Sequence, residues 1–390
     1  FSCSTKKDAF LNRNYNALTT QYNILYNGGV AFNEGLQEIN ASYEDDFFEL
    51  LPIEPLTFKN KKFRLPKLSS SSSNKPGKGF QESPEQEESL TPFDIAEQKA
   101  VKAIQKHSMN IYGKERNKKI DDAYLLLGKS RYYTERFIPA IDAYNYIIAN
   151  YPNASLINET KIWRAKAHIR IENEELAIET MEILLRKPEL PDFIREEANT
   201  TLAMAYTKMD SVQRVRKYLW EATKTSKNTI QKARNLFVLG QLYGLDKIKD
   251  TASMVFQKLI NFKPAPYKYK IYAAIELAKN SVSDSSSTAI LERYRKLIKN
   301  RDNRPYLDGV YYQVAVLEQE RDSINDAILN YNKSLRAVNG GAKQKTYSYE
   351  KLANLYFKDL DYVTAGAYYD SILQVAKNKQ TLRIKRIERR

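Results

Sequence analysis

The chain has 390 residues, of which 42% are hydrophobic and 28% charged, proportions that suit an all-helical protein with a thin continuous core. No stretch approaches the ~18 successive apolar residues that a membrane-crossing helix requires, which excludes a transmembrane helix, and the formal charge of +15 favours acidic surfaces as partners. Two histidines and one cysteine are too few for a usual zinc site or a Cys/His nucleophile pair, and no glycine-rich phosphate loop follows a strand, so no metal, cofactor, small-molecule substrate or enzymatic activity is expected.

Residues 1–10 contain Cys3, the only cysteine, which follows a bulky apolar residue and a small one. That order resembles the end of a bacterial lipoprotein signal, where the cysteine carries the lipid, although the hydrophobic part of such a signal is not in the sequence; an incidental thiol is the alternative. Residues 11–51 read as a helical hairpin turning at Asn27-Gly28-Gly29, with Leu18, Tyr22, Leu25 and Tyr26 on one face and Val30, Ala31, Leu36 and Ile39 on the other helix. Residues 52–92 change character: Pro52, Pro55 and Pro66, the serines 69–73 and Pro76-Gly77-Lys78-Gly79 predict a linker. Thr91-Pro92-Phe93-Asp94 is a helix start, with Thr91 as N-cap, Pro92 in the first turn and Asp94 three residues on. Residues 93–120 then form a capping helix with Ala100, Ala103, Ile104 and His107 on one side.

From 121 to 376 a repeat runs without gaps. A small residue returns every 37 or 38 positions as Gly128, Ala165, Ala203, Gly240, Ala278, Ala315 and Ala353. A second set keeps the same beat at Ala140, Ala177, Val215, Ala252, Ile290, Ala327 and Ala365, and a large apolar residue follows each by four at Tyr144, Met181, Leu219, Phe256, Tyr294, Tyr331 and Tyr369. Within one unit, Leu239, Gly240 and Tyr243 share one helix face, and Ala252, Phe256 and Leu259 another. Seven helical hairpins are predicted, crossing where side chains are small and stacking because no single pair can bury its own apolar face. Residues 377–390 read as the opening of a further pair without a polar cap, which predicts that the chain continues, and their Lys and Arg residues as one solvated face.

Leu-Gly/Ala, Tyr, Ala, large apolar and Pro in this order resemble the tetratricopeptide repeat, whose period of about 34 residues is exceeded here by three or four. The resemblance implies an all-α superhelical solenoid of helical hairpins with no sheet, and says little of function. Two segments, ALTTQYNILYNGGVAFNEGLQEI and FDIAEQKAVKAIQKHSMNIYGKERNKKIDDAYLLLGKSRYY, resemble the tetratricopeptide lipoproteins of the type IX secretion and gliding machinery of Bacteroidota, the SprE/PorW type. What that implies is a non-catalytic scaffold, lipid-anchored at Cys3 in the outer membrane and facing the periplasm. Its partners would be the outer-membrane translocon and the periplasmic ring; no nucleic acid is expected, because the regular tyrosines fall in the core register. It also implies O-glycosylation at Asp-Ser/Thr-apolar triplets, for which Ser211, Thr251 and Ser323 are candidates beside their plainer role as helix caps, with Ser371 a weaker one. A cytosolic tetratricopeptide adaptor, or an RNA-associated one given the charge and the 28 tyrosines, is the alternative.

The binding surface of such an array is its concave face, lined by the first helix of each pair. Counting one and five residues after the small crossing residue places Lys129, Lys166, Arg170 and Lys208 in a basic strip suited to an acidic peptide, with a solvated helix face as the alternative. His168 falls where other repeats carry Tyr206, Tyr243 and Tyr356, and reads as a packed ring.

Overall fold

At the two glycine crossings the backbones come so close that a larger side chain has no room. A methyl group on Gly128 would stand 2.3 Å from the Tyr144 ring and one on Gly240 2.5 Å from the Phe256 ring, well inside van der Waals contact. Ala165, Ala203, Ala278, Ala315 and Ala353 are likewise buried, as are Met181, Leu219, Tyr294 and Tyr331. The computed structural model describes residues 4–56, 90–225, 227–280, 286–338, 340–377, 379 and 381–389. The first helices of the seven pairs are α4 (Ile120–Tyr133), α6 (Ile157–Arg170), α8 (Asp192–Lys208), α10 (Thr229–Leu245), α12 (Tyr267–Asn280), α14 (Leu307–Glu320) and α16 (Ala342–Lys358). Their partners are α5 (Phe137–Asn150), α7 (Glu174–Leu185), α9 (Val212–Ala222), α11 (Lys249–Asn261), α13 (Ser287–Lys299), α15 (Ile324–Arg336) and α17 (Tyr362–Val375). The fold is the expected all-helical, tetratricopeptide-like array.

In six of the seven pairs the turn between the two helices is built one way. Glu135, Glu172, Asp210, Lys247, Asp322 and Leu360, each seven residues after the small crossing residue, hold φ between 52° and 65°. The following N–H donates back to the carbonyl five residues earlier, as from Ser211 to Tyr206 at 3.0 Å and from Asp361 to Tyr356 at 3.0 Å. This is the Schellman closure of a helix end, built here on side-chain-bearing residues where glycine is usual. Ser211 and Ser323 stand immediately before α9 and α15, but their side chains make no capping bond there; it is their backbone N–H groups that close the preceding helices.

The described chain divides into two units, one of residues up to Tyr43 and Pro55–Thr180, the other of Glu44–Glu54 and Met181 onward. The first unit corrects the expected N-terminal hairpin. Phe10–Thr19 (α1), a π turn Thr20–Leu25 and Tyr26–Ser42 (α2) follow without interruption, so Asn27-Gly28-Gly29 is no turn. Gly28 and Gly35 are there for packing: a Cβ on the first would meet Leu126 at 2.8 Å and on the second Phe93 at 2.7 Å. The faces differ accordingly, with Leu18, Tyr22, Tyr26 and Val30 exposed and Ile24 and Ala31 buried. α3 (Pro92–His107) begins with the predicted capping box, Thr91 Oγ1 accepting from the Asp94 N–H at 3.2 Å and Asp94 accepting from the Thr91 N–H at 3.0 Å. His107 Nδ1 is 2.9 Å from the buried Asn16 side chain, and burial lowers its pKa.

The expectation of no sheet also needs correcting. Asn110–Ile111 (β1) and Lys114–Glu115 (β2) pair antiparallel around Tyr112 and Gly113, both at positive φ, the backbone of a tight two-residue hairpin. The second unit ends in α18 (Leu382–Glu388), whose Ile384 and Ile387 are buried against Ala353, Ala365 and Tyr369. The basic run there is not one solvated face, since Arg383 lies over the Tyr347 ring at 3.8 Å and pairs with Glu350. No helix of the described residues is long and apolar enough to cross a membrane.

Candidate functional site

Three of the four residues of the predicted basic strip, Lys129, Lys166 and Arg170, come together around Trp163 and Tyr132. Lys129, Lys166 and Arg170 belong to the first unit and Lys208 to the second. Lys129 and Lys166 hold their ammonium groups 5.3 and 4.9 Å from the centre of the Trp163 indole, Lys129 also pairs with Glu159, and Lys166 is buried. Arg170 donates from Nε to the Tyr132 hydroxyl at 2.9 Å. Two of these contacts bridge successive pairs, Lys129 of α4 to Trp163 of α6 and Arg170 of α6 to Tyr132 of α4, and cation–π attraction favours all three cations there. Lys208 is exposed at the end of α8. His168 is half-buried, with burial lowering its pKa, as a packed ring would be. Among the described residues no cluster of His, Cys, Asp and Glu is arranged to hold a metal ion.

The functional geometry lies in the second unit. Residues 44–54, EDDFFELLPIE, form no regular helix or strand and lie against four successive first helices, α10, α12, α14 and α16. Expected as the tail of a hairpin and the start of a linker, they are instead the filling of a groove. Five of the eleven are acidic, and the groove answers with cations. Asp45 pairs with Arg234 of α10, both side chains almost wholly buried, and with Lys268 of α12 at 2.8 Å. Tyr347 of α16 reaches Asp46 at 2.8 Å and Glu49 at 3.0 Å through its hydroxyl. Burial raises the pKa of Asp46 and of Tyr347.

Two rings anchor the segment between these charges. Phe47 stacks on Tyr272 of α12, with centroids 3.9 Å apart and planes 3° from parallel, and meets Phe237 edge-on at 5.1 Å. Phe48 packs edge-on against Tyr312 of α14 at 4.9 Å. Gly309 makes room, for a Cβ there would stand 3.1 Å from the Tyr272 ring.

Side chains of the groove also read the backbone of the segment. Gln241 donates to the Glu49 carbonyl at 2.8 Å and accepts from the Leu51 N–H at 3.0 Å. Gln231 donates to the Ile53 carbonyl and Arg234 to the Pro52 carbonyl, each at 2.9 Å, and Lys343 to the Glu44 carbonyl at 3.0 Å. Carbonyls inside a helix are mostly spent on its own ladder, whereas those of an extended segment are open to side-chain donors, and this is how an extended peptide is held.

No family profile matches the chain, and no curated protein matches it in sequence. Solved structures do. Human IFIT1, as a dimer with PPP-AAAA, is similar at 14% identity and a TM-score of 0.36, over 74% of this chain and 70% of that one. The TPR2AB domain of yeast Sti1, in complex with pHSP90, is similar at 17% identity and a TM-score of 0.27, over 70% of this chain and 96% of that one.

The expected surface and the observed one differ by a direction of counting. Arg234, Tyr272 and Tyr347 each stand six residues before the small crossing residue, at Gly240, Ala278 and Ala353, and Lys268 and Lys343 stand ten before. Counting forward from the crossing residue finds Gln241, which bonds the segment's backbone, and Leu245 and Lys279, which line the cleft beside it. Cys3 lies outside the described residues, as does most of the expected linker, though Leu56 packs on the first unit's core beside Tyr124 and Trp163. Thr251 lies in the first turn of α11, and the Ser371 hydroxyl donates to the Ala367 carbonyl at 2.8 Å within α17.

Proposed function

We propose that the chain is a non-catalytic, helical-repeat scaffold of the type IX secretion and gliding machinery, anchored by lipid at Cys3 in the outer membrane and facing the periplasm. There it links the outer-membrane translocon to the periplasmic ring through protein–protein contacts. The observation that carries the scaffold reading is the groove of α10, α12, α14 and α16, in which side chains of α10 and α16 bind the backbone carbonyls of an extended segment. A surface that binds peptide backbone and acidic side chains together suits protein partners. The place in the secretion machine is supported by the two N-terminal segments that resemble its tetratricopeptide lipoproteins.

Labelling cells with radioactive palmitate tests the anchor. The wild-type protein is expected to take the label and Cys3→Ala to lose it; an unlabelled wild type ends the lipoprotein reading. Affinity capture from solubilised envelopes is expected to recover translocon or ring components, and their absence from a well-captured protein counts against the link. Intact mass spectrometry of the native protein is expected to show added sugar, lost in part when Ser211, Thr251 and Ser323 are replaced by alanine. A salt-dependent shift of labelled RNA would favour the RNA-associated alternative.

A further inference from the structure

The groove already holds a ligand, and that ligand is part of the same chain. Residues 44–54 are assigned to the second unit, while the residues before and after them in sequence belong to the first. Nothing in the chemistry of the groove requires the segment to be covalently attached. The Asp45 carboxylate on Arg234 and Lys268, the Phe47 ring on Tyr272 and the backbone bonds to Gln241 are all contacts that a separate peptide of the same pattern would make.

We propose that this groove is a receptor for acidic, biaromatic peptide segments of a partner protein, and that residues 44–54 are its built-in competitor. The partner segment carries adjacent carboxylates followed at once by two aromatic residues, because the ion pair and the ring shelf are set side by side on α10 and α12. Charge alone does not satisfy the site. The buried Arg234–Asp45 pair requires its carboxylate at one point, and a buried cation left without its partner is strongly disfavoured. The flat stack of Phe47 on Tyr272 requires a ring next to it. A tethered segment competes at an effective concentration in the millimolar range, so a partner engages only by binding better than the resident or by drawing it away. Beside Phe47–Leu50 a cleft of about 340 Å³, lined by Gln241, Leu245, Lys279 and Asn280, gives an incoming chain a place to begin. This inference rests on the reading of the chain as a protein-binding scaffold and not on its place in a secretion machine.

The test uses a fluorescent peptide EDDFFELLPIE and fluorescence anisotropy. The full chain with residues 44–54 replaced by a glycine–serine run of equal length is expected to bind it saturably, and the wild type at least tenfold more weakly. Arg234→Ala in the emptied chain is expected to weaken binding at least tenfold, as is a scrambled peptide with the same acids but separated aromatics. If the emptied chain keeps its helical circular dichroism and does not bind, or binds the scrambled peptide equally well, the proposal is overturned. If the emptied chain loses its helicity, Asp45→Asn/Phe47→Ala takes its place, and failure of that folded variant to bind more tightly than wild type overturns the proposal too. A chain that takes up lipid and captures its envelope partners yet ignores the peptide loses this inference and keeps the scaffold reading.

Discussion

Leu360 and Gly240 sit at opposite ends of one rule about side chains and backbone. Leu360 holds φ at 65° with its side chain 70% exposed, a left-handed conformation that costs an L-residue roughly 1–2 kcal/mol. Leu360→Gly removes that cost at the expense of ~0.5–1 kcal/mol of chain entropy, so a gain of about 0.5–1 kcal/mol in urea-unfolding stability is expected. Gly240 is the reverse, a position where the added methyl would press on Phe256. Gly240→Ala is expected to lose roughly 1–3 kcal/mol by overpacking, read in the same experiment, while Gly29→Ala, which meets nothing, serves as control. The crossing residues were legible in the sequence because close approach admits only Gly or Ala at regular intervals. The turns were not, because Glu135, Asp210, Lys247 and Leu360 lack the glycine that ordinarily marks a left-handed helix end. Gly28 and Gly35 misled for a related reason: glycine serves close packing and turning alike, and the sequence does not distinguish the two uses.

At the scale of elements, one buried carboxylate ties successive helix pairs together. Glu196 of α8 accepts from the Thr225 hydroxyl at 2.7 Å and from the N–H groups of Lys227 and Asn228 at 3.3 Å, just before α10 begins. Burial raises its pKa above the ordinary 4.5. Below that value the side chain is protonated whether the chain is folded or not, and its contribution to stability is complete. As pH rises through the raised folded pKa that contribution is lost, because the unfolded chain releases the proton more readily. Chemical denaturation of wild type and Glu196→Gln from pH 4 to 8 is therefore expected to show the wild type's relative stability largest at the acid end. A difference independent of pH would argue against this account. The helices themselves were readable from their periodicity, and the α3 start from its capping box. The groove was not, since several of its residues, Arg234, Tyr272 and Tyr347 at six and Lys268 and Lys343 at ten, stand before the crossing residue, and its occupant, EDDFFELLPIE, carries neither helical nor strand period.

For the molecule as a whole, the chain crosses from the first unit to the second and back before the helices of the second are reached in sequence. A protease site inserted within 57–89 is expected to yield two pieces that co-elute in native buffer and part only in denaturant. The shorter piece retains both α2, packed on α3, and the groove segment. Release of the N-terminal piece without denaturant would show the segment to be weakly held.

The same connectivity sets an order of events during biosynthesis. Asp45 and Arg234 are separated by 189 residues, and Glu44 and Lys343 by 299. At ~5–20 residues per second, translation leaves EDDFFELLPIE waiting roughly 10–40 s for the first wall of its receptor, and longer for the last. In that interval its paired phenylalanines have no groove to enter, and five acidic side chains among eleven residues favour the solubility of the waiting segment.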